Sequence, residues 1–430
     1  MTRAPFHDSP AWNVTLRDAP SSCDVLVIGA GPAGSACARQ LARAGWQVVL
    51  ADKKALPRDK VCGDALVPDA IAALKHLGLH ERVCAAGRQM GQARCVAPFQ
   101  QEIAVPGDMI VLPRQDLDEI LARGAVEAGA VLTAPAGFVK PLVDAQGRVI
   151  GAVLENQGLV RHIAARWVVL ATGAATPPLQ AAGLSARKTP SGFALRQYIR
   201  HDTLASEMQA LRFVWHRALR GGYGWIFPGP DGVCNIGVGI SSHPQRRGSP
   251  REGVRLHDLF ERFVQVDPIA ARLVAEGAPL GPAKGAPLRF DLTGADWVKP
   301  GLLVTGEAIG STYRLTGEGI GKAMETGMAA ADSLTSVVAA PAVLDAGISA
   351  DTDAAVSEAY VTRLNALRPR FEMYQQAAHV NKHPWLISLV IWKAGRLPWV
   401  TRALADILAE RRLPESILSW RGLKLLFKRR

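Results

Sequence analysis

Residues 23–53 read CDVLVIGAGPAGSACARQLARAGWQVVLADK. The apolar run at the start predicts a buried strand, the glycines a tight turn, and the alanines and leucine at helical spacing a helix, before a second strand that ends in an acid. Gly29 permits the turn, Gly31 lets the backbone approach a pyrophosphate, and Gly34 lets helix and strand pack closely. Asp52 can accept a hydrogen bond from a ribose hydroxyl. The stretch therefore predicts a Rossmann-like unit that binds a dinucleotide, with the phosphates at the helix N-terminus.

A second glycine cluster, TGEGIG at residues 316–321, lies far downstream and opens a long helix, KAMETGMAAADSL. Gly317, Gly319 and Ile320 would present free backbone N–H groups and the positive end of the helix dipole to an anionic group. The alternative is a helix N-terminus that binds no ligand. We expect the two clusters to hold opposite ends of one molecule.

Composition limits the class of protein. A chain of 430 residues with 48% apolar residues suits two or three domains with filled cores. The cysteines show neither the paired spacing of a zinc site nor the density of a disulfide framework, so we predict a cytoplasmic protein without a metal site. Residues 1–22 are polar and predict a loose arm, not a signal peptide. The cysteines are Cys23, Cys37, Cys62, Cys84, Cys95 and Cys234.

The net charge of +12 is concentrated at the C-terminus, where residues 382–430 carry eleven Lys and Arg against three acidic residues. Four of the ten tryptophans lie in the same segment, between apolar stretches that are shorter than the ~20 residues a membrane span requires. Tryptophan and aliphatic residues suit lipid better than nucleic acid. Two interpretations stay open: a helical cap on the body of the protein, or a cap that also contacts the inner face of a membrane peripherally.

Residues 185–289 are enriched in aromatic and β-branched residues whose alternation predicts the strands of a second sheet. The aromatic residues of GYGWIFP, residues 222–228, could equally belong to the core. Tyr223 and Trp225 flank a glycine that permits close backbone approach, which favours a place in the wall of a cavity for these two. For Phe227 the better prediction is the core.

These motifs carry a family resemblance. GAGPAG, PRxKxCG, R..LD, ATG, GYGWIFPGPDGVCNIGVG, GEA and TGEGIGKAMETG, which extend from Asp24 to about Leu334, resemble the geranylgeranyl reductase family of FAD-dependent oxidoreductases. The resemblance implies bound FAD, a two-domain fold like that of aromatic hydroxylases, and reduction of carbon–carbon double bonds in a prenyl chain. Reduced FAD would deliver hydride to one alkene carbon while a proton reaches the other.

The resemblance also assigns residues. Arg58 and Arg114 are similar to arginines that contact FAD, although surface positions would also explain them. Cys62 would lie beside the flavin near the substrate, where its thiol is a candidate proton donor. Gly173 and Gly306 belong to the ATG and GEA motifs. Glu307 stands where the family usually has an aspartate that binds the ribityl chain.

The expected fold is α/β plus antiparallel β: a Rossmann-like FAD-binding domain, an inserted β-sheet domain for the substrate, and a C-terminal helical region. The FAD-binding domain is assigned to residues 23–80, 110–184 and 290–340, the substrate domain to 81–109 and 185–289, and the helical region to 341–430.

Two other functions compete with the reductase. A flavin monooxygenase or halogenase is disfavoured because Thr172 stands where aromatic hydroxylases place an aspartate and because the chain lacks WxWxIP. A non-catalytic flavoprotein is the second alternative. The electron donor would be NADPH or ferredoxin. The substrate, which could be a prenylated lipid, a pyrophosphate, a chlorophyll precursor, a quinone or a specialised metabolite, and the oligomeric state are not determined by the sequence.

Overall fold

The computed structural model describes residues 12–185, 190–241, 255–338 and 348–411. Its strands form two sheets. In chain order they are β1 (Ser22–Ile28), β2 (Val48–Ala51), β3 (Ala65–Leu66), β4 (Arg88–Val96), β5 (Glu102–Val111), β6 (Val131–Thr133), β7 (Gly137–Val143), β8 (Val149–Asn156), β9 (Leu159–Leu170), β10 (Gly192–Arg200), β11 (Leu211–Val214), β12 (Gly222–Pro228), β13 (Val233–Ser241), β14 (Ala278–Pro279), β15 (Lys284–Leu288), β16 (Val298–Lys299) and β17 (Leu302–Val304).

Helices cover the first sheet, pack on one face of the second and form the C-terminal region. In chain order they are α1 (Pro32–Arg43), α2 (Pro68–His76), α3 (His80–Ala86), α4 (Arg114–Glu127), α5 (Thr176–Ala181), α6 (Asp202–Glu207), α7 (Leu256–Val266), α8 (Pro268–Glu276), α9 (Ile320–Val337), α10 (Ala350–Ala377), α11 (His379–Lys382), α12 (Pro384–Ala394) and α13 (Pro398–Leu408).

The first sheet is built around parallel strands in the order β17-β9-β1-β2-β6. The strand–helix–strand unit predicted from residues 23–53 is present as β1, α1 and β2. Ile28 at the end of β1 is in register with Ala51 of β2 and Leu170 of β9, and Val304 of β17 is in register with Leu170. The loops that follow β1, β2, β9 and β17 therefore meet at one edge of the sheet, where α/β proteins bind their ligands.

The second sheet is mostly antiparallel, in the order β14-β10-β13-β12-β11-β4-β5-β3, with β15 beside β10. One face packs on α7 and α8, because Ile226, Ile236 and Val238 form a core cluster with Phe260 and Phe263. Along β12 the side chains alternate, so the other face carries aromatic residues. The mixed α/β and antiparallel fold that the sequence predicts is thus confirmed.

Helices α1 and α9 are in close contact. A Cβ atom on Gly327 would lie 2.1 Å from the carbonyl oxygen of Ala33, so only glycine lets the two backbones approach this far. Helix α10 packs on α9 from outside, and the hydroxyl of Tyr360 donates to the carbonyl of Val304 at 2.7 Å. The two helices that follow the glycine clusters, α1 and α9, are therefore fixed relative to each other.

Two predicted boundaries require correction. The expected loose arm does not extend through residues 12–21, because Val14 donates to the carbonyl of Leu132 at 2.9 Å and Leu16 is buried in the core of the first sheet. Residues 1–11 lie outside the described range. Strand β3, assigned by the sequence to the FAD-binding domain, pairs with β5 of the second sheet.

The C-terminal region is helical from α10 to α13, and residues 412–430 lie outside the described part. None of the helices that the structure describes is long and apolar enough to cross a membrane.

Candidate active site

A cavity of about 680 Å³ is lined by residues of both sheets and of both glycine clusters. All but two of the site residues predicted from the sequence line it. The exceptions are Gly34 and Gly306, where a Cβ would lie 1.8 Å from the carbonyl oxygen of Gly29 and 2.6 Å from the Cβ of Ala33, respectively. These two glycines act as spacers between elements.

The first glycine turn leaves an open space at Gly31. Gly29 has a φ of 109° and donates to the carbonyl of Ala51 at 2.6 Å. A Cβ on Gly31, in contrast, would come near only Arg58 Nη2 at 3.8 Å and Arg114 Nη2 at 3.9 Å. Among the described residues, no side chain caps α1 and no acid lies in its first turn. Free N–H groups, a helix dipole and two guanidinium groups thus surround a space that fits a diphosphate.

Four charged side chains alternate in sign beside this space. Arg58 donates to Asp52 Oδ2 and to Asp118 Oδ2, both at 3.0 Å. Arg114 donates to both carboxylate oxygens of Asp118, at 2.8 and 3.0 Å. Arg114 is buried and the side chain of Arg58 is only 14% exposed, which excludes the surface interpretation.

Asp118 is the last residue of the R..LD motif at residues 114–118, but the sequence analysis assigned it no role. Its i, i+4 spacing from Arg114 on α4 is the signal that could have identified it. Its neighbour in the network, Asp52, also accepts from the backbone N–H of Ala30 at 2.9 Å, which ties the end of β2 to the glycine turn. The predicted ribose-binding carboxylate is therefore shared with Arg58.

The loop after β9 forms another part of the wall. Gly173 has a φ of 69°, a backbone conformation that favours glycine. Thr172 Oγ1 is buried and, within the part of the chain that the structure describes, has no hydrogen-bond partner. Because both residues line the cavity, this hydroxyl is available to a polar group of a bound cofactor.

The second glycine cluster faces the same cavity. Gly317 has a φ of 71°. Gly319 is the N-cap residue of α9, which has no side-chain cap and no acid in its first turn, as far as the described residues show. Glu307 also lines the cavity, with Lys60 Nζ 3.9 Å from its carboxylate. The N-terminus of α9 can therefore stabilise negative charge on a ligand.

Buried charges support this helix from behind. Lys322, in the first turn of α9, is only 2% exposed and lies 2.6 Å from Glu325, 2.8 Å from Glu410 and 3.7 Å from Asp69. Burial, with repulsion from Asp69 and Glu410, raises the pKa of Glu318 well above its usual value. The shift disfavours the charged form of Glu318, which would repel an anionic ligand at the second glycine cluster.

An aromatic wall from the second sheet encloses the cavity. Tyr223 and Trp225 lie on the face of β12 that lines it, with ring centroids 6.2 Å apart. Phe227, expected in the core, is buried but lines the same wall. The close approach permitted by Gly224 occurs on the opposite face, where its Cβ would lie 2.5 Å from the ring of Phe263. Strand alternation, and not the glycine, places the aromatic side chains.

The loop that carries Cys62 closes the cavity. Burial raises the pKa of the Cys62 thiol, and the charge of Arg114 opposes this shift only in part. The side-chain amide of Asn235 donates to the Cys62 carbonyl and to Asp64 Oδ2, both at 2.7 Å. It accepts from the Trp225 indole at 3.0 Å. Asn235 and Asp64 were not identified by the sequence analysis, although Asp64 directly follows PRxKxCG.

Comparisons with known proteins identify a family of FAD-binding reductases. Residues 22–216 match the family model described as FAD binding domain. Menaquinone reductase of Mycolicibacterium smegmatis is 33% identical over 325 residues, which cover 73% of this chain and 76% of that protein. Digeranylgeranylglycerophospholipid reductase 2 of Methanopyrus kandleri is 31% identical, with 72% and 76% covered.

The chain belongs to the geranylgeranyl reductase family of FAD-dependent oxidoreductases. The predicted resemblance is confirmed, and with it the assignment as an enzyme that uses FAD. In this family member, the two arginines and the open space at Gly31 fit the diphosphate, and the start of α9 fits the ring of the flavin.

Solved structures share the fold. A geranylgeranyl bacteriochlorophyll reductase-like protein from Thermoplasma acidophilum matches with a TM-score of 0.68 and 21% identity over 95% of this chain and 96% of that chain. The flavin-dependent brominase Bmp2 matches with a TM-score of 0.70 and 18% identity over 94% and 97%. Reductases and halogenases thus share this architecture, and the fold alone does not separate the two activities.

Proposed function

We propose that this family member reduces carbon–carbon double bonds of an isoprenoid chain carried by a lipid or a quinone. The observation that carries the proposal is the aromatic wall of Tyr223, Trp225 and Phe227, which joins the second glycine cluster in one cavity. An apolar chain lying on this wall would be close to the part of the cavity that fits the flavin. Relatives named for menaquinone and for digeranylgeranylglycerophospholipid support this class of substrate.

Bound FAD, once reduced, supplies the hydride. The residues of the chain contribute positioning and exclusion of water. The Tyr223 hydroxyl donates to the carbonyl of Thr316, so the aromatic wall is attached to the loop of the second glycine cluster. A dry, apolar site protects the reduced cofactor from solvent. The thiol of Cys62, which stays protonated because of its raised pKa, lies in the wall of the same cavity.

The test is anaerobic incubation of dithionite-reduced protein with menaquinone and, separately, with a geranylgeranylated phospholipid. The expected result is reoxidation of the flavin and an isoprenoid chain heavier by two hydrogen atoms, read from the mass of the chain fragment, which reduction of the menaquinone ring to the quinol does not change. Oxygen consumption with an oxygenated or halogenated product, and no hydrogenated alkene, would instead establish the monooxygenase or halogenase. A flavin that reduces but never turns over would establish a non-catalytic flavoprotein.

We further infer that the C-terminal helices rest on a membrane surface, where such substrates are found. Trp385, Trp392 and Trp399 are exposed by 61%, 41% and 40%. Lys393 Nζ and the Arg396 guanidinium lie 5.1 and 4.2 Å from the centre of the Trp392 ring. Exposed indoles beside basic side chains suit the headgroup region of an anionic membrane.

The electron donor is proposed from the family resemblance as NADPH or ferredoxin. Anaerobic mixing of the oxidised protein with each donor, followed by absorbance of the flavin, distinguishes them. Bleaching by NADPH alone supports the first donor, and bleaching only by reduced ferredoxin supports the second.

A further inference from the structure

Asp64 is a buried carboxyl group in the wall of the cavity. It is 1% exposed, lines the cavity, and has a left-handed φ of 68°. A buried carboxyl group at a cavity wall is a candidate for acid–base chemistry. No role has been assigned to it in the site described above.

Its two oxygens have different surroundings. Oδ2 accepts from the hydroxyl of Tyr198 at 2.5 Å and from the amide of Asn235 at 2.7 Å. Oδ1 accepts one longer hydrogen bond, from the backbone N–H of Arg114 at 3.2 Å. Oδ2 is therefore held by two strong donors, whereas Oδ1 accepts a single hydrogen bond and can carry the proton of the neutral carboxyl group.

We propose that Asp64 gives the proton that completes reduction of the double bond, and that Tyr198 positions it. The inference rests on the proposed function. In the step, the π bond breaks, one carbon receives the hydride with its electron pair, and the other carbon forms a C–H bond to the proton from Asp64 Oδ1. The carboxylate left behind accepts hydrogen bonds from Tyr198, Asn235 and Arg114, and solvent returns the proton after turnover.

The ionisation of Asp64 fits this role. Burial raises its pKa to about 6, and hydrogen bonds from Tyr198 and Asn235 and the charge of Arg196 limit the rise. The other groups that face Asp64 are Cys62 and Tyr198, whose pKa values are both raised, mainly by burial. Near neutral pH, Asp64 is therefore the group here that can both lose and regain a proton, as a general acid must.

The proposal is tested with Asp64→Asn, which preserves shape and tolerates the left-handed conformation. The matched control is Asp231→Asn, because Asp231 is also left-handed, with a φ of 55°, but is exposed outside the cavity. Single-turnover alkene reduction by the dithionite-reduced enzyme should fall roughly a hundredfold or more in Asp64→Asn, the usual scale of a lost general acid. FAD affinity and flavin reduction should match those of the control.

A second variant separates positioning from a structural role. Tyr198→Phe removes a donor that stabilises the carboxylate, so the pKa of Asp64 should rise. The decline of the rate at high pH should then move to higher pH while the maximal rate is largely retained. A purely structural Tyr198 would lower the rate without moving the profile.

A readout independent of turnover comes from infrared difference spectra of the protein between pH 5 and pH 8. The spectra should contain one carbonyl component that is present in wild type and in Asp231→Asn and missing in Asp64→Asn. The components of Asp69 and Glu318, buried carboxyl groups whose pKa values are also raised, should stay in all three proteins. If Asp64→Asn reduces the alkene as fast as wild type does, or if its carbonyl band is unchanged, the role of Asp64 is overturned while the proposed function stands. A wild-type enzyme that reduces no alkene would overturn the proposed function, and this role with it.

Discussion

Gly31 and Gly34, three residues apart in one turn, serve different purposes. A side chain on Gly34 would strike the carbonyl of Gly29, whereas a methyl group on Gly31 would enter only the open space in front of the two arginine side chains. The second glycine is needed by the fold, whereas we propose that the first serves the cofactor. This separation makes two neighbouring substitutions informative.

Gly31→Ala should fold with nearly wild-type stability but bind FAD at least about tenfold more weakly, which corresponds to roughly 1.4 kcal/mol. The added methyl group would occupy the proposed diphosphate position. Gly34→Ala should lower the stability of the FAD-free protein itself. Thermal unfolding of both proteins without FAD, and fluorescence titration with FAD, check the prediction. Equal destabilisation by the two substitutions would contradict it.

The pH dependence of stability reports on Asp64. Its pKa is raised from 3.8 to about 6 in the folded protein, so the unfolded chain releases this proton first as the pH increases. Below about pH 4 the raised pKa does not change the free energy of unfolding, because Asp64 is protonated in both states. Between pH 4 and pH 7 it lowers the free energy of unfolding by about 3 kcal/mol, at 1.36 kcal/mol per unit of pKa.

The measurement is urea unfolding of wild type and Asp64→Asn over this range of pH. The stability of wild type relative to the variant should decrease as the pH rises, because the variant carries no such proton and the other titrating groups are common to both. A constant difference between the two proteins would show that Asp64 does not titrate in this range.

At the scale of elements, the contact between α1 and α9 places the two glycine clusters on one cavity. The sequence predicted both helices and the N-terminal site of each, because glycine spacing and helical periodicity are local signals. The hydrogen bonds of Asp64 could not be predicted in this way. They join it to Tyr198 and Asn235, on strands far along the chain, and only the pairing of β10 with β13 brings these residues together.

Gly327→Ala should separate α1 from α9, because the added methyl group would lie 2.1 Å from the carbonyl oxygen of Ala33. We expect a loss of about 2 kcal/mol or more in stability, on the scale of overpacked cores, together with weaker binding of FAD. Gly395→Ala is the control, since its Cβ would make contacts no shorter than 3.6 Å. The stability of both variants is measured by unfolding, and their affinity for FAD is measured by titration. An effect of Gly327→Ala no larger than that of the control would disprove the close-packing explanation.

At the scale of the whole molecule, the C-terminal region joins the cavity to the tryptophan-bearing helices. Asn381, which lines the cavity, accepts from the indole of Trp215 at 2.8 Å and donates to the carbonyl of Leu315 at 3.2 Å. Helix α12 begins three residues later. The surface proposed to contact a membrane is thus directly connected to the site proposed to bind the isoprenoid chain.

Replacement of Trp385, Trp392 and Trp399 together by alanine should reduce sedimentation with anionic vesicles about tenfold or more, since indoles anchor proteins at the headgroup level. FAD binding should not change. Phe99→Ala provides the control, because Phe99 is 77% exposed but lies on the β4–β5 turn. Equal vesicle binding by the triple variant and wild type would rule out these indoles as the anchor.

The residues that follow α13 support the first turn of α9, where the flavin ring is proposed to bind. Glu410, two residues beyond that helix, pairs with Lys322 and Arg370 and accepts from the Tyr313 hydroxyl. A shortened protein that stops before residue 410 would leave the ammonium group of Lys322 with less countercharge in a place water cannot reach. A protein shortened for crystallisation should therefore retain Glu410. Without this residue we expect the purified protein to lose FAD and its yellow colour.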